Sequence, residues 1–296
     1  MPTKRFLSHL QYEKRFSPHT LKAYDSDLSM FFEYISKEYG PTEVSAITHF
    51  YIRSWIVSLI DTGVTPRSVN RKITALKSFF KFLLREKIVE QSPMGRIQSP
   101  KVGKRLPKFI DETRMEALFS EIVFEEGFKG IRDHAILELF YGTGMRLSEL
   151  VNLPVADVDF SNQSVKVLGK RNKERIIPFS NTVTHTLKHY MSQRSIFLEA
   201  EHKQSQFLFF ENSCNQLYPK FVYRLIKKYL GMVTTGDSRN PHVLRHTFAT
   251  HMLNNGAELN AVKEILGHSS LAATQVYTHN TIEKLKNIYK QAHPKA

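Results

Sequence analysis

Apolar positions recur through the first ninety residues with the spacing of amphipathic helices. Leu21, Tyr24, Leu28, Phe31, Phe32 and Ile35 form one stripe, opened by Ser17-Pro18, a capping side chain followed by a first-turn proline. Val69, Ile73, Leu76, Phe80 and Leu83 form a second, opened by Thr65-Pro66. Arg67, Arg71, Thr74, Lys77 and Lys81 share the other side of that helix, as on a solvated face or one that lies along a polyanion. Residues 91–109 carry Pro93, Pro100, Pro107 and two glycines, which block helix and central strand alike and predict a linker. Beyond it the pattern is mixed. Ile136, Leu137, Leu139 and Phe140 predict a buried helix ending at Gly142-Thr143-Gly144, and residues 155–160, 164–168 and 175–179 read as short strands, with 169–173 as a hairpin loop. Helical stripes then return at Leu244, Phe248 and Met252, at Leu259, Val262, Ile265 and Leu266 (stopping at Gly267), and at Ile282, Leu285 and Ile288. The fold class is therefore α+β: an all-helical N-terminal domain over residues 1–103, and a mostly helical C-terminal domain over 104–296 with a small antiparallel sheet.

Charge narrows the partner class. The chain holds 42 Lys+Arg against 28 Asp+Glu, a formal net charge of +14. Residues 1–107 contain 18 basic and 9 acidic side chains, so most of the excess lies in the first third of the chain. Arg96, Lys101, Lys104 and Arg105 add a basic strap in the linker. Such an excess attracts a polyanion by displacing its condensed counterions, although by composition alone it serves solubility equally well. No apolar run approaches the roughly 18 residues that span a bilayer, and the first residues lack a secretory signal pattern. Cys214 is alone and forms no internal disulfide, which points to a reducing cytoplasm.

Candidate chemistry begins at Asn240-Pro241, an N-cap and first-turn proline. His242 and Arg245 then share the first turn, where unpaired backbone N–H groups and the helix dipole also favour an anion. His242 and His246 have the spacing of two zinc ligands, but the general-base glutamate is missing and an arginine sits between them, so no metal or other cofactor is expected. The helix–glycine–helix run over 241–266 resembles a helix-turn-helix DNA reader, yet 258–266 offers few base-reading groups.

The run Gly144-Met145-Arg146-Leu147-Ser148-Glu149-Leu150, then Lys170, His242-Val243-Leu244-Arg245, Leu266-Gly267-His268 and finally Tyr277 resembles, in order and spacing, the signature of the tyrosine recombinase (lambda integrase-like) family. The stretch from Pro241 to the terminal His293-Pro294-Lys295-Ala296 is similar to its Xer branch. The resemblance implies a SAM-like core-binding domain and a catalytic domain ending in an exchange helix, closed as a C-shaped clamp on duplex DNA. It implies a DNA strand transferase in which Tyr277 forms a 3′-phosphotyrosyl link without metal or ATP. Arg146 and Arg245 would hold the non-bridging phosphate oxygens, Lys170 would protonate the departing 5′-oxygen, His242 would move a proton with the nucleophile, His268 would hydrogen-bond the phosphate, and Glu149 would orient the cluster. Arg171 replaces a glycine common in the Xer hairpin, which leaves Lys173 as the alternative to Lys170. Arg67, Arg71, Lys77, Lys81, Lys101, Lys104 and Arg105 become candidate DNA contacts. Implied partners are double-stranded DNA at a specific site, a homo- or heterotetramer with a paralogous recombinase, and the septal translocase FtsK, with the last helix packed into a neighbouring protomer. Resolution of chromosome or plasmid dimers is the implied task, and an integrase of a phage or mobile element would share the chemistry.

Overall fold

Capping side chains open the two long helices of the N-terminal unit, and aromatic burial joins its elements. The computed structural model describes residues 2–103, 108–169, 173–236, 239–267 and 279–295. The chain folds as two compact units, Met1–Arg105 and Leu106–Ala296. The first contains α1 (Pro2–Ser8), α2 (Pro18–Tyr39), α3 (His49–Asp61) and α4 (Pro66–Arg85). Both expected caps form: Ser17 Oγ accepts from the Thr20 N–H at 3.3 Å, and Thr65 Oγ1 from the Ser68 N–H at 3.4 Å. The stripes of α2 and α4 close on Trp55 of α3 and on Phe79, with Phe31 edge-on to Trp55 at 5.1 Å. Lys72 also turns inward from α4, donating to Asp27 Oδ1 of α2 at 2.9 Å with both side chains buried.

The expected linker begins later than its prolines suggest. Residues Pro93–Arg96 form a 3-10 turn that buries Met94 and Ile97 in the first core. Arg53 of α3 donates to the Arg96 carbonyl at 3.2 Å and Asn70 of α4 to the Pro100 carbonyl at 3.0 Å. Two apolar side chains thus tie the first half of the segment down, which a reading of its helix-breaking residues alone overlooks.

The second unit is α+β. It comprises α5 (Glu112–Ser120), α6 (Phe128–Thr143), α7 (Leu147–Val151), β1 (Val158–Asp159), β2 (Ser164–Leu168), β3 (Glu174–Pro178), α8 (Asn181–Ala200), α9 (Pro219–Val233), α10 (Pro241–Asn254), α11 (Leu259–Leu266) and α12 (His279–Ala292). The sheet has the order β1-β2-β3, antiparallel throughout, with Leu168 opposite Glu174 at the hairpin end. The first strand is shorter than expected. Val155–Asp157 form a 3-10 turn because the Val155 N–H is taken by the Gln206 carbonyl at 2.9 Å, leaving only Val158 and Asp159 for the ladder.

Within the single chain the last helix packs on the second unit. Leu285, Tyr289 and Ala292 enter the second unit's core, and the Tyr289 hydroxyl donates to the Gly142 carbonyl at 2.7 Å. Lys295 then reaches Glu138 Oε2 at 2.6 Å while lying 3.6 Å from the Phe119 ring centroid. An apolar face and two polar anchors match a cleft of the same chain. Among the described residues no helix is long and apolar enough to cross a membrane.

Candidate active site

The site is assembled on two left-handed glycines. Gly144 closes α6 at φ +57°, and a Cβ there would lie 2.4 Å from Phe248 Cδ1 of α10, so glycine is required by both backbone and space. The chain leaves this cap extended at Arg146, which caps α7. Glu149, three residues on, reaches back to accept from the Arg146 backbone N–H at 2.6 Å and from its Nη1 at 2.8 Å. Arg175 of β3 approaches the same carboxylate with both fork nitrogens, at 2.7 and 2.8 Å. Burial pushes the Glu149 carboxyl up, but the Arg175 and Arg146 bonds outweigh it and hold the group below its ordinary value. Glu149 is therefore a carboxylate at neutral pH.

Gly267 ends α11 at φ +66°. The last carbonyls of a helix have no intrahelical partner and carry the negative end of its dipole. Here three consecutive ones each receive a different arginine: Ile265 from Arg175 Nε at 2.7 Å, Leu266 from Arg245 Nη2 at 2.6 Å, and Gly267 from Arg146 Nη2 at 2.7 Å. Arg245 also donates to the Gly144 carbonyl at 2.6 Å, so it bridges the two glycine caps.

α10 delivers Arg245. Asn240 Oδ1 accepts from the Val243 N–H at 3.2 Å, and the first turn then exposes His242 while Arg245 is half-buried. Burial, and then the neighbouring charges of Arg146 and Arg175, lower Arg245 to about 10, which still leaves it a cation at neutral pH. Near the other end of this helix, His251 Nε2 meets the Ile110 carbonyl and Nδ1 meets the Tyr141 hydroxyl, each at 2.8 Å. Since the carbonyl only accepts, the ring proton is assigned to Nε2 and Tyr141 donates. The Ile110 N–H donates to Thr247 Oγ1 at 3.0 Å, so α10 is fixed against the residues that enter the domain.

Three guanidiniums and one carboxylate leave this cluster with two net positive charges. A guanidinium carries five N–H donors, and among the described residues Arg146 and Arg245 each commit two to the bonds above. The remainder suit the non-bridging oxygens of a phosphate.

A model of the phage integrase family matches residues 108–284, and a model of its N-terminal SAM-like domain matches residues 3–87. The chain is 40% identical to the tyrosine recombinase XerC of Chlorobaculum tepidum, over 98% of this chain and 94% of that protein. It is a tyrosine recombinase of the phage integrase family. The tyrosine recombinase XerC of Bacillus subtilis is 37% identical to it over 99% of this chain and 96% of that one. Among solved structures, the post-cleavage complex of XerH site-specific recombinase bound to palindromic difH substrate matches with a TM-score of 0.72 at 18% identity, covering 99% of this chain and 82% of that one. That likeness is one of fold.

Of the site residues expected in this recombinase, the structure brings Arg146, Glu149 and Arg245 together and sets His242 one turn from Arg245. Lys170, His268 and Tyr277 lie outside the described residues, as do Lys104 and Arg105. Lys173 is exposed, and its carbonyl accepts from the Gly169 N–H at 2.8 Å to close the hairpin base. Arg67, Arg71, Lys77 and Lys81 all lie on the exposed face of α4, where Arg71 pairs with Asp27, and Lys101 is also exposed. Two features of the recombinase escaped sequence reading. Arg175 reads in the sequence as an ordinary strand residue, and no local pattern marks it. α9 presents Lys220, Tyr223, Arg224 and Lys227 to solvent, a second basic face that its buried stripe Val222, Leu225, Ile226 and Tyr229 could have revealed.

Proposed function

We propose that this recombinase breaks and rejoins DNA strands at a specific site through Tyr277, and that its task is Xer-type resolution of chromosome or plasmid dimers. The observation that carries the proposal is the convergence of Arg146 and Arg245 on the carbonyls that end α11, which gathers two guanidiniums and a net positive charge at one end of that helix. Phosphoryl transfer raises negative charge on the non-bridging oxygens, so fixed guanidiniums favour the transition state over the bound substrate. In the proposed step the Tyr277 oxygen attacks phosphorus, the bond to the 5′-oxygen breaks, and Lys170 supplies that oxygen with a proton. His242 takes part in moving the phenolic proton, His268 hydrogen-bonds the phosphate, and Glu149 orients Arg146. The phosphotyrosyl ester conserves the energy of the broken bond, and a second strand's 5′-hydroxyl reverses the reaction without ATP or a metal.

Arg67, Arg71, Lys77 and Lys81 on the exposed face of α4, with Lys101, Lys104 and Arg105, would contact backbone phosphates. Such contacts position the protein rather than read sequence. The Xer assignment rests on likeness to XerC proteins over nearly the whole chain. It carries with it a cytoplasmic setting, a tetramer on double-stranded DNA with a paralogous recombinase, and activation by FtsK. Incubation with nicked duplexes bearing candidate sites tests the chemistry. Wild type should give a protein–DNA adduct that survives denaturing electrophoresis, and Tyr277→Phe should give none. An adduct that persists in Tyr277→Phe removes the proposed nucleophile.

A further inference from the structure

Arg175 is an unlikely strand residue. It is 4% exposed, too deep to touch a DNA phosphate, yet it is charged and engages two distant parts of the chain. Its fork holds Glu149 of α7, its Nε holds the Ile265 carbonyl of α11, and its own strand follows the hairpin that begins at Gly169. The packing is close on two sides. A Cβ at Gly267 would lie 3.1 Å from Arg175 Cδ, and one at Gly169 would lie 3.5 Å from Arg175 Nη1 and 3.6 Å from Arg146 Nη1.

An ionised carboxylate has about four lone-pair positions to fill. Glu149 fills them with the Arg146 backbone N–H, one bond from the Arg146 guanidinium and two from Arg175. Remove Arg175, and two positions of a buried carboxylate open beside Arg146. Arg146 Nη2, now on the Gly267 carbonyl, is the cation at hand to fill them. A second Arg146–Glu149 bond would close that pair on itself, draw the guanidinium off the α11 end and cancel the charge meant for the phosphate.

We infer that Arg175 is the positioning residue of this active site: by saturating and neutralising Glu149 it limits the carboxylate to one guanidinium bond from Arg146, and so leaves Arg146 aimed at the scissile phosphate. The inference rests on the proposed recombinase chemistry and adds a residue to it. Arg175 acts through Arg146 and Glu149, never on substrate. Its nearness to Gly169 ties the same ion pair to the base of the loop that carries Lys170.

The test measures the rate of covalent adduct formation on nicked DNA, together with DNA affinity and thermal stability, for wild type, Arg175→Met, Glu149→Gln and the double variant. Displacement of a clamping group by an ångström costs about 100-fold in rate. Arg175→Met should lose about that much, with DNA affinity changed less than about threefold because the residue is buried away from DNA. Adding Glu149→Gln should restore at least about tenfold of the loss, since the carboxylate that captures Arg146 is gone. A wild-type rate in Arg175→Met overturns the inference, and so does a double variant no faster than Arg175→Met, which would make Arg175 a folding residue only. Should Arg175→Met fail to fold, Arg175→Lys, which keeps the charge but not the fork, should fold and react about tenfold slower than wild type; an unchanged rate there overturns the inference equally. Absence of any adduct from wild type would instead count against the recombinase reading beneath it.

Discussion

Gly267→Ala probes the carbonyl hub by its backbone rather than its charges. Gly267 sits at φ +66°, where a side chain costs about 1–2 kcal/mol. The added methyl would also lie 3.1 Å from Cδ, Nε and Nη1 of Arg175, so the arginine must yield by a few tenths of an ångström. For a unit of 150–250 residues each kcal/mol lowers Tm by about 2–4 °C, so the expected drop is about 2–8 °C. The protein stays folded at 25 °C, which makes its chemistry measurable. Because Arg146, Arg175 and Arg245 all hang on residues 265–267, moving this turn shifts the clamp, and adduct formation on nicked DNA should fall at least about tenfold. Calorimetry and a single-turnover adduct assay read the two effects separately. A variant with lowered Tm and a wild-type cleavage rate would show that the arginines do not depend on the end of α11, and the reasoning about the site would fail. An unchanged Tm would refute the backbone argument itself.

Two further outcomes follow from buried titratable groups elsewhere. Asp27→Ala strands Lys72 as an unpaired charge in the first core and should cost about 3–5 kcal/mol in denaturant unfolding, whereas the double variant with Lys72→Met should regain most of it; equal instability of the two would refute the pairing. His293 is 5% exposed and stacked on Tyr289 at 4.8 Å, and burial lowers it to about 3. Its neutral form is the folded form, so its stabilisation is complete above the unfolded value near 6.5 and is lost as pH falls below it, at about 1.4 kcal/mol per pH unit down to about 3. His134, lowered by burial to about 4, adds a slope of the same sign. Unfolding free energies measured at several pH values below 6.5 should therefore show a shallower dependence for His293→Phe, and an unaltered slope would refute the assignment.

The chain's linear order was enough for whatever depends on near neighbours. Ser17, Thr65 and Asn240 announce their helices because a cap acts on a backbone N–H three residues away, and all three bonds form. The apolar stripes of α2 and α4 close into a core because helical spacing alone decides which side chains share a face. The α+β class, the small antiparallel sheet and the family followed from such local signals taken in order. Arg146 and Arg245 could be singled out, and the Arg146–Glu149 contact is itself local, three residues apart.

Only the tertiary structure decided what those charges meet. Arg175 lies 26 residues from Glu149 and 90 from Ile265, and a strand's two-residue alternation says nothing of which carboxylate or carbonyl will be opposite. Lys72 sits at a stripe position between Val69 and Leu76, and only Asp27 of another helix accounts for a charge there. Met94 and Ile97 read as linker until the first core takes them in. Caps and stripes are settled within a turn of chain. The partner of a buried charge is settled by whichever distant segment folding brings to hydrogen-bond distance, and the cost of leaving such a charge unpaired is what holds the final arrangement in place.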